Sequence, residues 1–229
     1  GINKLYLKLT LKLMFNIHEI DDDYDVFVAF ETMNNRGRKL TNLELLKNRL
    51  IYLTTLYSDE KFDEMEKSHL RKQINDAWKE IYFQLGRNEN ISLSDDEFLR
   101  AHWTIYFAYS RRKGDDYNRF LLNKFSAKNI FEKETVLVEE VPDGCVMGAD
   151  DEEDAEDGEA ETIEVSKLEP AEIAAYVNSL KSMAKYWYDT FFPVQSEHLT
   201  KEEQLWVDKL NRIGIGYFRP LVAVIISRR

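Results

Sequence analysis

The residues of this chain whose types and spacing best suit chemistry lie in one short turn, Asn34-Asn35-Arg36-Gly37-Arg38-Lys39. Part of the turn needs no ligand. Asn34 and Asn35 can end a helix, because Asn tolerates left-handed backbone, and Gly37 permits a sharp change of direction. Thr41 then opens the next helix. A plain helix–helix turn, a common device, is therefore one reading. The other starts from Arg36, Arg38 and Lys39, crowded just before a helix N-terminus, with Lys47 and Asn48 one and two turns later. Cations there oppose the helix dipole. They make more sense if an anion such as a phosphate is held among them.

Other chemistries find little footing. His18, His69, His102 and His198 are scattered, and none has a second His, Cys or carboxylate at metal-ligand spacing. His102, beside Trp103, reads as a packed residue of an aromatic helix. The nine glycines form neither GxxxxGK[ST] nor GxGxxG, and no Ser sits in a GxSxG elbow. Asp21, Asp22, Asp23 and Asp25 lack the Gly and distal Glu of a calcium loop and read as carboxylates at a helix start. Cys145, the one cysteine, allows no intrachain disulfide or Cys-based metal site. A reducing, cytoplasmic setting fits.

These residues sit in a chain of 229, long enough for one large domain or two small ones. Hydrophobic residues make up 44% and aromatics 13%, which is a globular composition with prominent aromatic packing. The net charge of −11 belongs to one tract. From Glu139 to Glu164 there are 13 acidic residues and no Lys or Arg, leaving 29 acids against 31 bases elsewhere. The remainder is nearly neutral and has no strongly basic nucleic-acid face. The tract, low in aromatics and dense in like charge, reads as a flexible insertion. A DNA-mimicking or partner-docking loop is its functional alternative.

No segment has the long uncharged apolar run of a membrane span. GINKLYLKLTLKLMF lacks an initiator Met, and lysines break its apolar residues, unlike a signal peptide. LVAVIISRR stops inside an apolar run. Both ends read as boundaries within a longer protein.

The elements that must position the turn are mostly helical. Leu5, Leu7, Leu9, Leu11, Leu13, Phe15 and Ile17 alternate, so a strand is expected to end near Ile20, with a helix over Leu5 to Met14 as the rival. A helix over Tyr24 to Met33 follows. Three capping boxes then open helices: Thr41 with Glu44, Ser94 with Glu97, and Thr200 with Glu203. Their apolar stripes are Leu43, Leu46, Leu50, Leu53 and Tyr57; Phe98, Leu99, Trp103, Tyr106 and Tyr109; and Leu205, Trp206, Leu210 and Ile213. A further helix spans about Asp59 to Leu85, with Phe62, Met65, Ile74, Trp78, Ile81 and Leu85 as its stripe and Gly86 as its stop. Helices over Asp116 to Phe125 and Ala171 to Phe192 complete the series, the last opened by Pro170 and ended by Pro193. Val136 to Val141 alternates like a strand.

Phe30-Glu31-Thr32-Met33-Asn34-Asn35-Arg36-Gly37-Arg38-Lys39-Leu40-Thr41, followed by Leu43-Glu44-Leu45-Leu46-Lys47-Asn48, resembles the pattern FExLNxRGxxLxxxELLKN. That pattern lies in the GmrSD-type family of modification-dependent (type IV) restriction enzymes and related phage-defence nucleases. Asp95-Asp96-Glu97-Phe98-Leu99-Arg100-Ala101-His102-Trp103 resembles the family's FLRxxW helix. Ala175 to Leu180 and Phe218-Arg219-Pro220-Leu221 resemble its later helical segments. The resemblance spans most of the chain, but only the first block is specific.

In that family the N-terminal domain is ParB/sulfiredoxin-like, nucleotide hydrolysis goes with a DGQQR-type motif upstream, and cleavage with a downstream HNH domain. This chain has neither motif. The resemblance therefore implies a mainly α, bundle-like middle piece with a short N-terminal β element. Residues 1–40 would be the tail of a nucleotide-sensing domain. Residues 41–137 and 167–229 would be two parts of a helical domain, and 138–166 an acidic insertion. The piece would couple NTP binding to DNA cleavage without being catalytic itself. NTP and a divalent metal are implied for the full-length protein, modified DNA as its partner, with homo-oligomerisation open and no membrane. Asn34, Arg36, Gly37, Lys47 and Asn48 match the motif positions, and with Arg38 and Lys39 form the candidate nucleotide or DNA-phosphate contact. The alternative is a helical interaction or scaffold module without nucleotide or DNA chemistry.

Overall fold

The computed structural model describes residues 2–12, 40–60, 62–109, 116–137 and 162–228. Contacts divide the chain into two units, Gly1–Lys39 and Leu40–Arg229. In the first, Ile2–Leu11 forms α1. The described part of the alternating run, through Leu11, thus follows the rival helix expected over Leu5 to Met14 instead of the strand. Leu and Lys are good helix formers, and Thr10 donates to the Tyr6 carbonyl at 2.8 Å across one helical turn. Residues 13–20 and the helix expected over Tyr24 to Met33 lie outside the described residues.

The second unit is mainly helical. It contains α2 (Asn42–Leu53), α3 (Glu64–Gly86), α4 (Asp95–Tyr106), α5 (Tyr117–Lys124) and α6 (Ala127–Phe131). Two strands follow, β1 (Lys133–Leu137) and β2 (Thr162–Ser166). Then come α7 (Pro170–Phe191), a 3-10 turn at Pro193–Gln195, α8 (Lys201–Ile213) and α9 (Arg219–Ser227). The helix starts are where the boxes place them. Thr41 and Glu44 exchange both capping bonds, as do Thr200 and Glu203. Ser94 caps the Glu97 N–H without the return bond from the Glu97 side chain. Asp63 and Glu66 close a further box at the head of α3.

α7 is the axis of the unit. Ile173, Tyr176, Val177, Leu180, Ala184, Trp187 and Tyr188 are all buried, too wide an arc for a helix with one neighbour. α3 runs alongside in the same direction, since Gln73 bonds Asn178 and Arg87 lies over the Tyr188 ring. α4 runs the opposite way, with Phe98 against Trp187 and His102 bonded to Ser179. α2 lies antiparallel to α3: the Trp78 indole donates to the Leu43 carbonyl at 3.0 Å, and Arg71 reaches Thr54. The stripe Leu43, Leu46, Leu50, Leu53 and Tyr57 is buried as the spacing predicts.

Two stripes differ from expectation. Met65 is 80% exposed, because α3 begins at Glu64 and turns Lys67 and Leu70 inward instead. On α8 the apolar residues face outward: Leu205, Trp206 and Ile213 are exposed, Trp206 by 56%. Its inner face is Gln204, Val207 and Asn211. Gln204 donates to the Ser196 and Leu199 carbonyls, and Asn211 to that of Thr190. The Thr190 carbonyl at the end of α7 and the Ser196 and Leu199 carbonyls of the following loop thus select amides over leucines. Gly214 ends α8 in the left-handed region, at φ 85°, where its lack of a Cβ removes the strain.

β1 and β2 pair antiparallel, Lys133 opposite Ser166 and Leu137 opposite Thr162. Residues 133–135 and the whole of β2 extend the strand character beyond Val136 to Val141, and 162–166 belongs to this ribbon instead of the insertion. Residues 138–161 lie outside the described residues. At the ribbon's base Glu132 pairs with Lys128 at 3.0 Å and Lys167 at 2.8 Å.

Replacing Trp78, fully buried and bonded to Leu43, by Ala should lower the unfolding free energy by about 3–5 kcal/mol. Trp206→Ala should change it by less than about 0.5 kcal/mol. Urea unfolding followed by far-UV dichroism reads both.

Candidate functional site

Asn34, Arg36, Gly37, Arg38 and Lys39 lie outside the described residues. Lys47 and Asn48 stand on α2, half-buried, beside the leucine stripe rather than within it. The helix start two residues beyond Lys39 is already electrostatically furnished. The Glu44 N–H donates to the Thr41 hydroxyl, and the Thr41 N–H to the Glu44 carboxylate at 2.8 Å. Asn42 donates to Asp96 and to the Tyr117 hydroxyl, both at 2.9 Å, and Tyr117 donates to Asp96. Burial raises the Asp95 carboxyl above the usual carboxylate range, and the neighbouring charges of Asp96 and Glu44 add to it. The Tyr82 phenol, burial acting first and Glu44 and Asp95 next, is pushed up to about 12. Two helix N-termini meet here, and the chain's own carboxylates supply their anions.

Two buried polar clusters do structural work. His102 is 1% exposed, shares a 3.0 Å hydrogen bond with Ser179 and lies between the rings of Tyr106 and Tyr176. Its Nδ1 is buried without a partner, and burial lowers its pKa to about 3. The imidazole is therefore neutral at neutral pH, bonded to Ser179 and enclosed by aromatic rings away from solvent. The second cluster joins the end of α7 to the following loop. Asp189, buried and shifted upward by that burial, is bonded by Ser196. The Ser196 Oγ in turn accepts the His198 and Leu199 N–H groups at 3.1 Å.

A third place is built differently. Where α4, α7 and α9 converge, a cleft of about 660 Å³ is lined by Glu97, Arg100, Thr104, Trp187, Phe191, Tyr217 and Arg219, among others. The Arg219 guanidinium lies 3.7 Å above the centre of the Phe191 ring and donates to the Thr190 carbonyl at 2.7 Å. Its partial burial lowers its pKa, and Glu97 partly offsets this. Arg100 lies over the Tyr117 ring, with its Nε buried and unbonded. Tyr217 is 93% exposed at the rim. Residue reasoning did not assign a role to Arg100 or Arg219. Both do fall within the segments Asp95 to Trp103 and Phe218 to Leu221 set apart by the family resemblance.

Among the described residues no group of three or more His, Cys, Asp or Glu is placed to hold a metal ion. No described helix is long and apolar enough to cross a membrane. No family model, no curated protein and no solved structure matches the chain.

The His102 shift carries a pH dependence. Its folded pKa lies below the unfolded value of about 6.5, so between those values the unfolded chain binds the extra proton. Stability from this group is complete above about pH 6.5 and falls as pH drops toward 3, by up to about 1.4 kcal/mol per unit. His102→Gln should be less stable at pH 7 yet lose less stability between pH 6.5 and 4.5. Chemical unfolding of both proteins at those pH values checks it.

Proposed function

We propose that this chain is the coupling segment of a modification-dependent restriction or phage-defence nuclease, linking NTP binding to DNA cleavage without catalysing either step. The observation that carries the reading is the block from Phe30 to Asn48, with the turn cations Arg36, Arg38 and Lys39 and the downstream Lys47 and Asn48. The fold is compatible with that role. Segments far apart in sequence, around Arg100 and Arg219, come together at one cleft. α7 connects that cleft to the packing of α2 and α3. In the full-length protein a nucleotide and a divalent metal would act in domains beyond this segment, on modified DNA, in the cytoplasm.

A second reading, a helical interaction module, is favoured by one observation. Leu205, Trp206, Ile213, Tyr217, Leu221 and Ile225 on and between α8 and α9 are exposed, and exposed apolar groups gathered in one part of a chain mark interaction surfaces.

Arg36→Ala in the full-length protein should reduce nucleotide-stimulated cleavage of modified DNA by about tenfold or more, the scale of one lost charge-assisted contact. Unchanged cleavage and unchanged phage restriction would make the turn structural. If self-association of the chain were lost with Trp206→Ser while nucleotide and DNA binding were undetectable, the interaction module would take its place.

A further inference from the structure

We infer that the cleft between α4, α7 and α9 binds a phosphate group of a nucleotide or a nucleic-acid strand, with Arg100 and Arg219 as its cationic walls. The inference rests on the cleft's own donors and stands whether or not the chain belongs to a restriction enzyme. Arg100 and Arg219 both line the cleft, and neither has an ion-pair partner within 4 Å among the described residues. Most other cations that bridge helices do: Arg87 pairs with Glu197 at 2.9 Å and Lys124 with Glu172 at 3.2 Å. Holding a guanidinium partly out of water, as Arg219 is held, is unfavourable without a counter-charge. Among the described residues Glu97 is the one carboxylate on the wall, and it is exposed.

The rest of the lining offers further donors. The Trp187 side chain is 3% exposed, and its indole N–H is buried with no acceptor. α9 begins at Arg219 with no side-chain cap on its first turn; Pro220 has no N–H and the Phe218 and Val222 N–H groups are bonded, which leaves the Arg219 and Leu221 amides without a helical acceptor. Donors therefore outnumber acceptors around one space. Guanidiniums present paired N–H groups matched to phosphate oxygens. The Arg219 guanidinium is already fixed by the Phe191 ring and the Thr190 carbonyl, so little side-chain freedom is lost on binding. The ring of Tyr217, almost wholly exposed at the rim, supplies a stacking face for a base.

The test is binding of three probes to the full 229-residue chain at low salt, read by tryptophan fluorescence and calorimetry: sodium tripolyphosphate, ATP, and a fluorescein-labelled oligothymidylate. All three should bind in competition with one another. Arg100→Gln should weaken them by about tenfold or more, and Glu97→Gln, which removes the opposing charge, should tighten them. For the oligonucleotide, Arg100→Gln should also flatten the salt dependence by about one phosphate contact. The tighter of ATP and oligonucleotide identifies the source of the phosphate. Arg219→Ala also removes the Thr190 bond, so its result counts only if its dichroism and unfolding midpoint match the parent's. Failure of all three probes to bind would overturn the inference. So would binding that neither Arg100→Gln nor Glu97→Gln alters while both remain folded.

Discussion

Everything in the larger unit depends on α7 being buried on more than one side. A helix with one neighbour needs a single apolar stripe, but α7 buries Ile173, Tyr176, Val177, Leu180, Ala184, Trp187 and Tyr188. Small Ala184 and large Trp187 and Tyr188 let α3 approach on one flank while α4 packs on another. Because α3 runs with α7 and α4 against it, the chain must cross the end of the bundle between them. The crossing is made by residues 87–94, where Asn88 accepts the Asn90 and Ile91 N–H groups at 3.0 Å and Leu93 returns to bond the Leu85 carbonyl. The aromatic wall of Trp103, Tyr109, Phe107, Phe120 and Tyr176 then closes the other end of α4. It is held by edge-to-face, tilted and stacked rings.

Electrostatics follow from that arrangement. The heads of α2 and α4 meet in a knot of carboxylates, amide and phenols, so negative charge gathers there. The convergence of α4, α7 and α9 gathers guanidiniums instead. The first turn of α4 is therefore committed to Asp95 and Asp96 near Thr41 and Asn42, and its middle carries Arg100 beside the cleft. The two sites share α4: Glu97 of its first turn lines the cleft, and Arg100 lies over the Tyr117 ring that bonds Asp96.

Helix starts were readable because capping is local: Thr41 with Glu44 and Thr200 with Glu203 need only four residues to specify the bond pattern. The leucines of α2 were readable because one strict stripe faces one neighbour. Ile2–Leu11 misleads by alternating leucine with lysine, a pattern whose strand period competes with strong helix propensity and loses. α8 misleads for another reason. Its apolar stripe is real, but the carbonyls of Thr190, Ser196 and Leu199 draw Gln204 and Asn211 inward. No periodicity announces a tertiary demand of that kind. The cleft was equally hidden, since Arg100 and Arg219 come to line one space only through the packing of α4 and α9 against α7. The turn from Asn34 to Lys39 lies outside the described residues, so its reading still rests on sequence alone.

The β1–β2 ribbon has a consequence for how this chain can vary. Leu137 sits opposite Thr162, and Lys128 and Lys167 grip Glu132 below them. The two ends of the intervening tract are thereby fixed beside each other, independently of its contents. Closing a longer loop across a gap already spanned costs only about 0.6 kcal/mol for each doubling of length. Additions, deletions or changes of charge between those ends are therefore nearly invisible to the helices. The ribbon acts as a splice point, where natural variation can alter the tract's length and composition while the bundle stays under its own separate selection.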